Sequence, residues 1–581
     1  MRRLRGLFGV AAGVLAGATA LAPTATASPG VPSAQVIVGY DDAAGARSAV
    51  AAAGGTVERE LGLVDSLLVS VPSDGLKKLL TAPGVRSVTP DGKVTMTGRT
   101  WLADAQNTSI SGVTKMTGAQ DVWKGRDAKG QPLTGKGVGV AVIDSGIAPA
   151  TGLSGTGKVV NGPDLSLESQ ATNLRTLDTF GHGTHMAGIV AGRDPGVVAG
   201  QESADPTKFV GMAPDATLLN MKVAATDGAV DVSQVIAAID WVVVHRNDPG
   251  LNIRVINLSF GTDSTQDPRL DPLSHAVEAA WRKGIVVVVA VGNDGAAATR
   301  VSMPAANPYV IAVGAADHKG TESKVDDVVA DFSTKGNATR HADLVAPGRS
   351  IISLRTPNSF LDTMYPTGRL ATTVDPSQRY FKGSGTSQAT AVVSGAAALL
   401  LQQRPTLTPD QVKKLLMLSA DPMPQADPVS RGAGQLNIRT AAALPTPLVA
   451  TAQQKFAAST GLGTLEGARG TAHVVDPDTG TELTGERDIM GEAWNAAAWS
   501  ASCTAGTAWT TTGQWNGRTW SGSGWATGTW TGTNWTSRTW SSRTWSGATW
   551  TGTTWSSRTW SSRTWSGRTW SGGYWSGSHW G

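Results

Sequence analysis

The sequence predicts an α/β fold with a mainly parallel central sheet flanked by helices, preceded by a small α+β unit and followed by a tryptophan-rich repeat tail. From about residue 136, short runs are almost wholly apolar, as parallel strands covered on both faces must be. Helical patterns separate these runs, and that alternation is typical of a parallel sheet. Near residue 494 the composition changes abruptly, and no Asp or Glu follows Glu492.

The first 27 residues have the pattern of a signal peptide, with a basic start at 1–5, an apolar stretch at 7–21 and a small-residue cleavage motif at 25–27. The apolar stretch is shorter than the ~20 residues that a membrane span needs. We therefore expect a secreted, extracellular protein with no transmembrane span after signal removal. The pair Arg2 and Arg3 leaves Sec and Tat export both open.

Residues 34–96 predict a small separate domain. Its pattern alternates strands and helices in the order β-α-β-α-β, which fits a small α+β sandwich. The predicted strands are 35–39, 67–71 and 85–88, and the predicted helices are 43–53 and 73–80.

The main domain is predicted over residues 100–445. A linker of unknown structure follows at 446–493, and the Trp-rich tail of five-residue period takes up 494–581. In the main domain, predicted helices at 231–245 and 275–283 separate the strands. Those strands are 137–143, 217–223, 255–258, 285–291 and 310–314.

Charge and cysteine content narrow the function classes. A formal net charge of +4 over 581 residues gives no reason to expect nucleic acid as a partner. The single cysteine, Cys503, excludes an intrachain disulfide, although secreted proteins often use them. No pattern indicates a cofactor for catalysis, and structural calcium cannot be read from the sequence.

The residues needed for acyl transfer by a serine all occur in fitting contexts. This chemistry needs an activated hydroxyl, an imidazole base, a carboxylate that orients the base, and donors for the oxyanion. Asp144 directly follows a predicted strand, where open α/β sheets place their sites. His182 lies between glycines at a predicted helix start, and Ser387 lies where a Gly-rich turn enters an apolar helix. Asn293 follows another buried strand and can supply an oxyanion donor.

Each of these residues has a simpler interpretation when it is taken alone. Asp144 fits a turn or a helix cap, Ser387 fits an N-cap, and Asn293 fits an ordinary turn. His182 and His185 also form a candidate zinc pair, but their spacing of three and the missing glutamate depart from the zinc-protease helix motif.

Taken together, the motifs resemble those of the subtilase family. The order Asp, His, Ser is the subtilisin order. The resemblance covers roughly residues 100–445, and residues 34–96 look like the inhibitor-type propeptide of that family. The matching strings are VIDSG at 142–146, GHGTH at 181–185, NLSFG at 257–261, VGNDG at 291–295, VAPG at 345–348 and GTSQA at 385–389.

The resemblance implies a secreted serine endopeptidase with Asp144, His182 and Ser387 as its triad and Asn293 in the oxyanion hole. Its propeptide would act as an intramolecular inhibitor. The substrate would be a polypeptide bound as an extended strand, with an uncharged pocket for the P1 side chain. The residues matching the substrate-binding segments are Ser259, Phe260, Gly261, Ala290, Val291 and Gly292.

The chain departs from the family pattern in three places. Gln388 follows the nucleophile where the family usually has Met, and Ala391 stands where it usually has Pro. The stretch 355–382 is longer than the minimum length of this segment in the family, and it predicts a surface hairpin near the substrate cleft. By the same resemblance, Met303-Pro304 occupies a position where a cis proline occurs.

The tail motivates a rival class, a surface-binding or structural protein that carries an inactive hydrolase domain. Regularly spaced indoles can stack on sugar rings, and arginines attract anionic polymers. From this we expect a cell-wall polysaccharide as a partner of the tail, with self-association of the tail as the alternative. The intact set of triad and oxyanion residues favours the protease.

Overall fold

The computed structural model describes residues 33–61, 66–72, 75–90, 109–169, 173–371, 375–474, 482–516 and 518–519. The chain divides into two compact units, Met1–Val94 and Thr95–Gly581. The predicted signal peptide and the repeats from residue 520 onward lie outside the described residues, so both stay predictions.

The first unit is a four-stranded antiparallel sheet with two helices. The strand order is β2-β3-β1-β4, and Asp42 caps α1 by accepting from the amides of Ala44 and Gly45. β2 is absent from the sequence prediction because its charged residues hide the alternation of an edge strand. The elements are β1 (Ser33–Tyr40), α1 (Ala43–Ala52), β2 (Thr56–Leu61), β3 (Ser66–Pro72), α2 (Leu76–Leu79) and β4 (Val85–Pro90).

The second unit begins with two short helices and then alternates strands with helices. Its elements up to residue 347 are α3 (Ile110–Met116), α4 (Ala119–Trp123), β5 (Gly139–Asp144), β6 (Val159–Asn161), α5 (His182–Ala191), β7 (Thr217–Lys222), α6 (Val232–His245), β8 (Ile253–Leu258), α7 (Pro272–Arg282), β9 (Val286–Ala290), β10 (Ile311–Asp317), β11 (Val328–Val329) and β12 (Leu344–Pro347).

The remaining elements include the longest helix of this unit, α9. They are β13 (Ile351–Leu354), α8 (Phe360–Met364), a 3-10 turn (Pro366–Gly368), β14 (Tyr380–Gly383), α9 (Thr386–Gln403), α10 (Pro409–Leu418), α11 (Pro428–Arg431), α12 (Ile438–Ala443), α13 (Val449–Ala452), α14 (Leu465–Arg469), α15 (Ala496–Ala505), β15 (Gln514–Trp515) and β16 (Arg518–Thr519).

The predicted parallel sheet is confirmed. Its strand order is β6-β7-β5-β8-β9-β10, with all of these neighbours parallel and β11 antiparallel at the β10 edge. Every residue of β5 and β9 is buried. Since alternate side chains of a strand point to opposite faces, both faces of these strands are covered. β5, β8 and β9 therefore end side by side, in the interior of the sheet.

Residues 449–474 and 482–516 form a layer on the main domain, which we call the C-terminal layer. The sequence predicts only a linker and the beginning of the repeat tail there. In the structure α14 packs against α6 and α7, and α15 packs against α7. Trp499 and Trp515 are almost completely buried, at 0% and 1% exposure. The difference arises because isolated indoles among small residues carry no helical or strand period for a sequence to reveal.

In the described part of the chain, no helix is both long enough and apolar enough to cross a membrane.

Candidate active site

Asp144 and His182 form a buried hydrogen-bonded pair. Nδ1 of His182 lies 2.8 Å from Oδ1 and 3.0 Å from Oδ2 of Asp144. Asp144 is the last residue of β5, and His182 is the first residue of α5. A glycine permits this approach: a Cβ on Gly183 would lie 2.1 Å from the carbonyl oxygen of Gly146. The carboxylate thus fixes which imidazole nitrogen faces it.

Ser387 lies in the first turn of α9, and α9 packs against α5. Its Oγ donates to the carbonyl of Ser259 at 2.8 Å, and Ser259 Oγ donates back to the carbonyl of Ser387 at 3.2 Å. The structure therefore ties the serine directly to the segment that follows β8. The helix start also directs backbone amides and positive dipole toward the serine.

Asn293 is fixed by the residue that precedes the serine. Its Oδ1 accepts from the amide of Thr386 at 2.9 Å and from the hydroxyl of Thr386 at 3.1 Å. Since a backbone N–H can only donate, the oxygen must face Thr386, and Nδ2 is the end of the amide that can donate elsewhere. Asn293 thus carries a donor group close to the start of α9.

The two predicted substrate-binding segments leave neighbouring strands. Residues 259–261 follow β8 and residues 290–292 follow the core of β9, and these strands pair in parallel with Leu258 opposite Val289. The carbonyls of Ala290 and Val291 accept from Ser302, and that of Gly292 accepts from Thr334. These bonds hold all three carbonyls of the second segment in place.

The alternative of a metal pair finds no support among the described residues. His182 faces Asp144, whereas Nε2 of His185 lies 3.1 Å from the carbonyl of Phe381. Burial lowers the pKa of His185 to about 3, so this imidazole is neutral. The described residues contain no group of three or more His, Cys, Asp or Glu side chains that could hold a metal ion.

The departure at residue 388 places a polar amide next to the serine. Gln388 is only 4% exposed, and its Oε1 has no hydrogen-bond partner among the described residues. Ala391 is fully buried within α9, so the helix continues without the proline that the family usually has. The Met303-Pro304 bond is cis, as the resemblance implies.

The part of the predicted 355–382 stretch that precedes β14, which we call the insertion, is described at 355–371 and 375–379 and lies against the segment that leads to His182. β13 and β14 form an antiparallel pair, and the residues between them carry α8. The amides of Phe360 and Leu361 donate to the carbonyls of Thr179 and Phe180 at 3.0 Å and 2.9 Å. Within the insertion, Asp362 pairs with Arg355 and Arg369. The predicted hairpin thus exists and supports the entry to α5.

Two buried polar residues of this site are not predicted by the sequence. Asp178 and Ser145 connect the end of β5 to the first turn of α5 through hydrogen bonds. Ser145 lies in the DSG string, and Asp178 precedes His182 by four residues. A lone aspartate upstream of a motif carries no signal that separates it from a turn residue.

A fold with this sheet and an Asp–His pair beside a serine-bearing helix defines an α/β serine hydrolase. Residues 135–463, more than half of the chain, match the model of the subtilase family. The chain therefore belongs to the subtilase family of serine proteases. Residues 11–91 match the model of a peptidase inhibitor-type domain, so the protease carries such a domain at its N-terminal end.

Several curated bacterial proteases are similar to this chain. Serine protease AprX of Bacillus subtilis is 40% identical over 53% of this chain and 66% of its own length. Subtilisin DY of Bacillus licheniformis is 32% identical over 55% of this chain and 96% of its own. Minor extracellular protease Epr of Bacillus subtilis is 30% identical over 65% of this chain and 50% of its own.

Proposed function

We propose that this protein is a secreted serine endopeptidase, made as an autoinhibited precursor, with Asp144, His182 and Ser387 as its catalytic triad. The observation that carries the proposal is the 2.8 Å contact of His182 Nδ1 with Asp144, on a helix that packs against the helix of Ser387. Membership of a protease family and the similarity to an enzyme named as extracellular support it.

In this mechanism Ser387 Oγ attacks the carbonyl carbon of the scissile peptide bond. Its proton, which the carbonyl of Ser259 holds in the resting site, passes to Nε2 of His182. Collapse of the tetrahedral intermediate breaks the C–N bond, and His182 returns the proton to the leaving amine. Water then repeats the sequence on the acyl-enzyme. Asp144 holds the imidazole tautomer and stabilises the imidazolium.

The oxyanion would accept from two donors at the start of α9. One is the backbone amide of Ser387, and the other is Nδ2 of Asn293, whose amide Thr386 orients. Donors fixed before the reaction need no reorganisation when the charge develops, so they act on the transition state. This chemistry uses no cofactor.

The first unit would act as the intramolecular inhibitor and folding template. Its match to an inhibitor-type domain supports this role, and slow folding of sheets rich in non-local contacts gives a template a purpose. Cleavage is expected between residues 91 and 106, which lie outside the described residues. Refolding of a chain starting near residue 100 to full activity, as fast as the whole chain, would refute the template role.

The repeats would hold the protease at a polysaccharide-rich surface such as a cell wall. The support is compositional, because the indoles recur every five residues to Trp580 among arginines and no acids. Deleting residues 520–581 should release the enzyme from the wall fraction without lowering peptide hydrolysis. Equal partitioning of both forms would exclude this role.

The deciding experiment replaces the proposed nucleophile. Ser387→Ala should reduce casein hydrolysis to near background, by a factor of ~10⁶ in kcat, which is the loss known for the same change in subtilisin, a relative. The matched control is Ser323→Ala, the same change on an exposed loop. Casein hydrolysis by Ser387→Ala at the control's rate would refute Ser387 as the nucleophile. Absence of hydrolysis in the wild type and the control would favour the rival, a binding protein with an inactive subtilase domain.

A further inference from the structure

Asp178 is a buried carboxylate that receives hydrogen bonds from three parts of the domain. Its Oδ1 accepts from Ser145 Oγ at 2.8 Å and from the amide of Gly181 at 2.6 Å. Its Oδ2 accepts from the amide of Thr184 at 2.8 Å and from Thr356 Oγ1 at 3.3 Å. The carboxylate therefore links the end of β5, the start of α5 and the insertion.

These bonds supply the N-terminal cap that α5 lacks. Its N-cap residue is Gly181, at φ 104°, which has no side chain to accept from the first turn. Asp178 accepts from Gly181 and Thr184, and Ser145 Oγ accepts from the amide of Gly183 at 2.9 Å. The first amides of a helix need such partners. His182, the first residue of α5, is therefore held in place from outside its own helix.

Ser145 faces two carboxylates but has one hydroxyl proton. Its Oγ lies 2.8 Å from Asp178 and 3.2 Å from Asp144 Oδ1. The shorter contact assigns the proton to Asp178. Asp144 Oδ1 then receives the amide of Ser145 at 2.8 Å and Nδ1 of His182 at 2.8 Å. Without Asp178, the hydroxyl would turn to Asp144 and compete with the imidazole for that oxygen.

We infer that Asp178 is a positioning residue for the catalytic pair, which it holds through Ser145 and the first turn of α5. It does not contact the reacting atoms. The inference rests on the proposed function, because it assumes that Asp144 and His182 perform the proton transfer. Through Thr356, the insertion at 355–379 contributes to the same network.

The test compares kcat and KM for Asp178→Asn, Ser145→Ala and the double variant on a short peptide substrate. Asp178→Asn keeps the shape but turns one oxygen into a donor that faces backbone amides. We expect kcat to fall about 10–100-fold, by analogy with the loss seen when hydrogen-bond partners of metal-ligating side chains are removed, with KM within about twofold. If Asp178 acts through Ser145, the double variant should lose no more than the worse single variant.

The matched control is Asp164→Asn. Asp164 is also buried in the segment before α5, but its carboxylate accepts from the amides of Ser166 and Thr176 in that same segment rather than from Ser145. Its kcat should stay near wild type. A kcat for Asp178→Asn within twofold of this control, or multiplying losses in the double variant, would overturn the inference.

Two further variants, Thr356→Val and Ser387→Ala, are measured with the others. If Asp178→Asn does not fold, Ser145→Ala and Thr356→Val carry the test, and unchanged kcat in both overturns the inference. Ser387→Ala, measured alongside, separates the two claims. Activity in that variant would refute the proposed function, whereas its inactivity with normal kcat in Asp178→Asn would refute only the positioning role.

Discussion

We call the proposed triad of Asp144, His182 and Ser387, together with Asn293 and Asp178, the catalytic edge. This edge and the C-terminal layer use buried polar groups in different ways. At the catalytic edge, Asp178 receives backbone amides and hydroxyls. Under the C-terminal layer, Asp240 of α6 accepts hydrogen bonds from two indoles. Nε1 of Trp499 and Nε1 of Trp515 each lie 2.9 Å from its Oδ2.

The chemical difference between these partners indicates what each region does. Small donors on strand ends and helix starts fix a reactive group and bury little apolar area. Indoles bury a large apolar surface and use one polar atom to set their orientation. Trp509 follows the same pattern, with Nε1 donating to the carbonyl of Ala237 at 2.7 Å. The hydrogen bonds of the catalytic edge therefore fix the geometry of reactive groups, whereas the indoles of the C-terminal layer stabilise the fold.

The largest expected effect comes from removing the C-terminal layer. A chain ending at Pro447 loses Trp499, Trp509 and Trp515, and loss of a single buried Trp side chain costs ~3–5 kcal/mol. Since the free energy of unfolding of a whole domain is ~5–15 kcal/mol, we expect the shortened chain to be unfolded or to have a much lower melting temperature. Thermal melting in the Ser387→Ala background, where no autolysis occurs, measures this.

A chain ending at Thr519 is the matched control, because it keeps the whole layer. A cut just after residue 448, near the start of the predicted linker, therefore cannot test the repeats alone. Equal melting temperatures for the two truncated chains would show that the layer contributes nothing, and the contrast between the regions would disappear.

Asn293→Ala should show the opposite behaviour to removal of the layer. Loss of one oxyanion donor lowers kcat by ~10²–10³, which is the range known for the equivalent loss in subtilisin, a relative. The change removes only the oxygen that accepts from the amide of Thr386 at the start of α9. The melting temperature should therefore change by only a few degrees. Measurement of kcat and melting temperature on the same samples checks both. A large melting shift with normal kcat would reverse the assignment.

Asp227 lies in the turn between β7 and α6 and tests how a buried carboxylate near the charge of Glu168 affects stability. Burial raises its pKa to about 6, although its Oδ1 accepts from the amide of Ala229 at 3.0 Å. Its stabilising contribution is therefore complete below the unfolded pKa and is lost as pH rises through about 6.

Asp227→Asn should consequently change little at pH 4 and stabilise the protein at pH 8. The gain should reach roughly 3 kcal/mol, at 1.36 kcal/mol per pKa unit. Urea unfolding of Ser387→Ala with and without this change, at both pH values, gives the comparison. A difference that stays constant between pH 4 and pH 8 would contradict the raised pKa.

The sequence indicates which residues lie at the strand ends of the catalytic edge, because strand ends carry short, ordered motifs. Asp144, Ser259 and Ala290 each follow an apolar run, and parallel strands bring such ends together. The C-terminal layer is not predicted, because its contacts are long-range. Trp499 meets Asp240 across 259 residues of chain, and neither residue lies in a periodic pattern that names the other.

Asp178 cannot be predicted for a related reason. Its role depends on which donors surround it, and these come from β5, α5 and the insertion. Ser145 is visible in the sequence only as part of a motif, since its two carboxylate neighbours become apparent only in three dimensions. Sequence motifs therefore identify the residues proposed to react, whereas the residues that position them can be recognised only from the three-dimensional structure.

The smallest effect is expected at Gln388, where the catalytic edge has a buried amide oxygen without a partner among the described residues. Because no hydrogen bond of this oxygen is lost, Gln388→Met and Gln388→Leu should change kcat little. Oxidation distinguishes the two variants, since the thioether of a methionine beside the nucleophile becomes a polar sulfoxide. After peroxide treatment, the wild type and Gln388→Leu should keep activity, and Gln388→Met should lose it. Inactivation of all three at one rate would place the sensitive group elsewhere, and residue 388 would then have no part in oxidant tolerance.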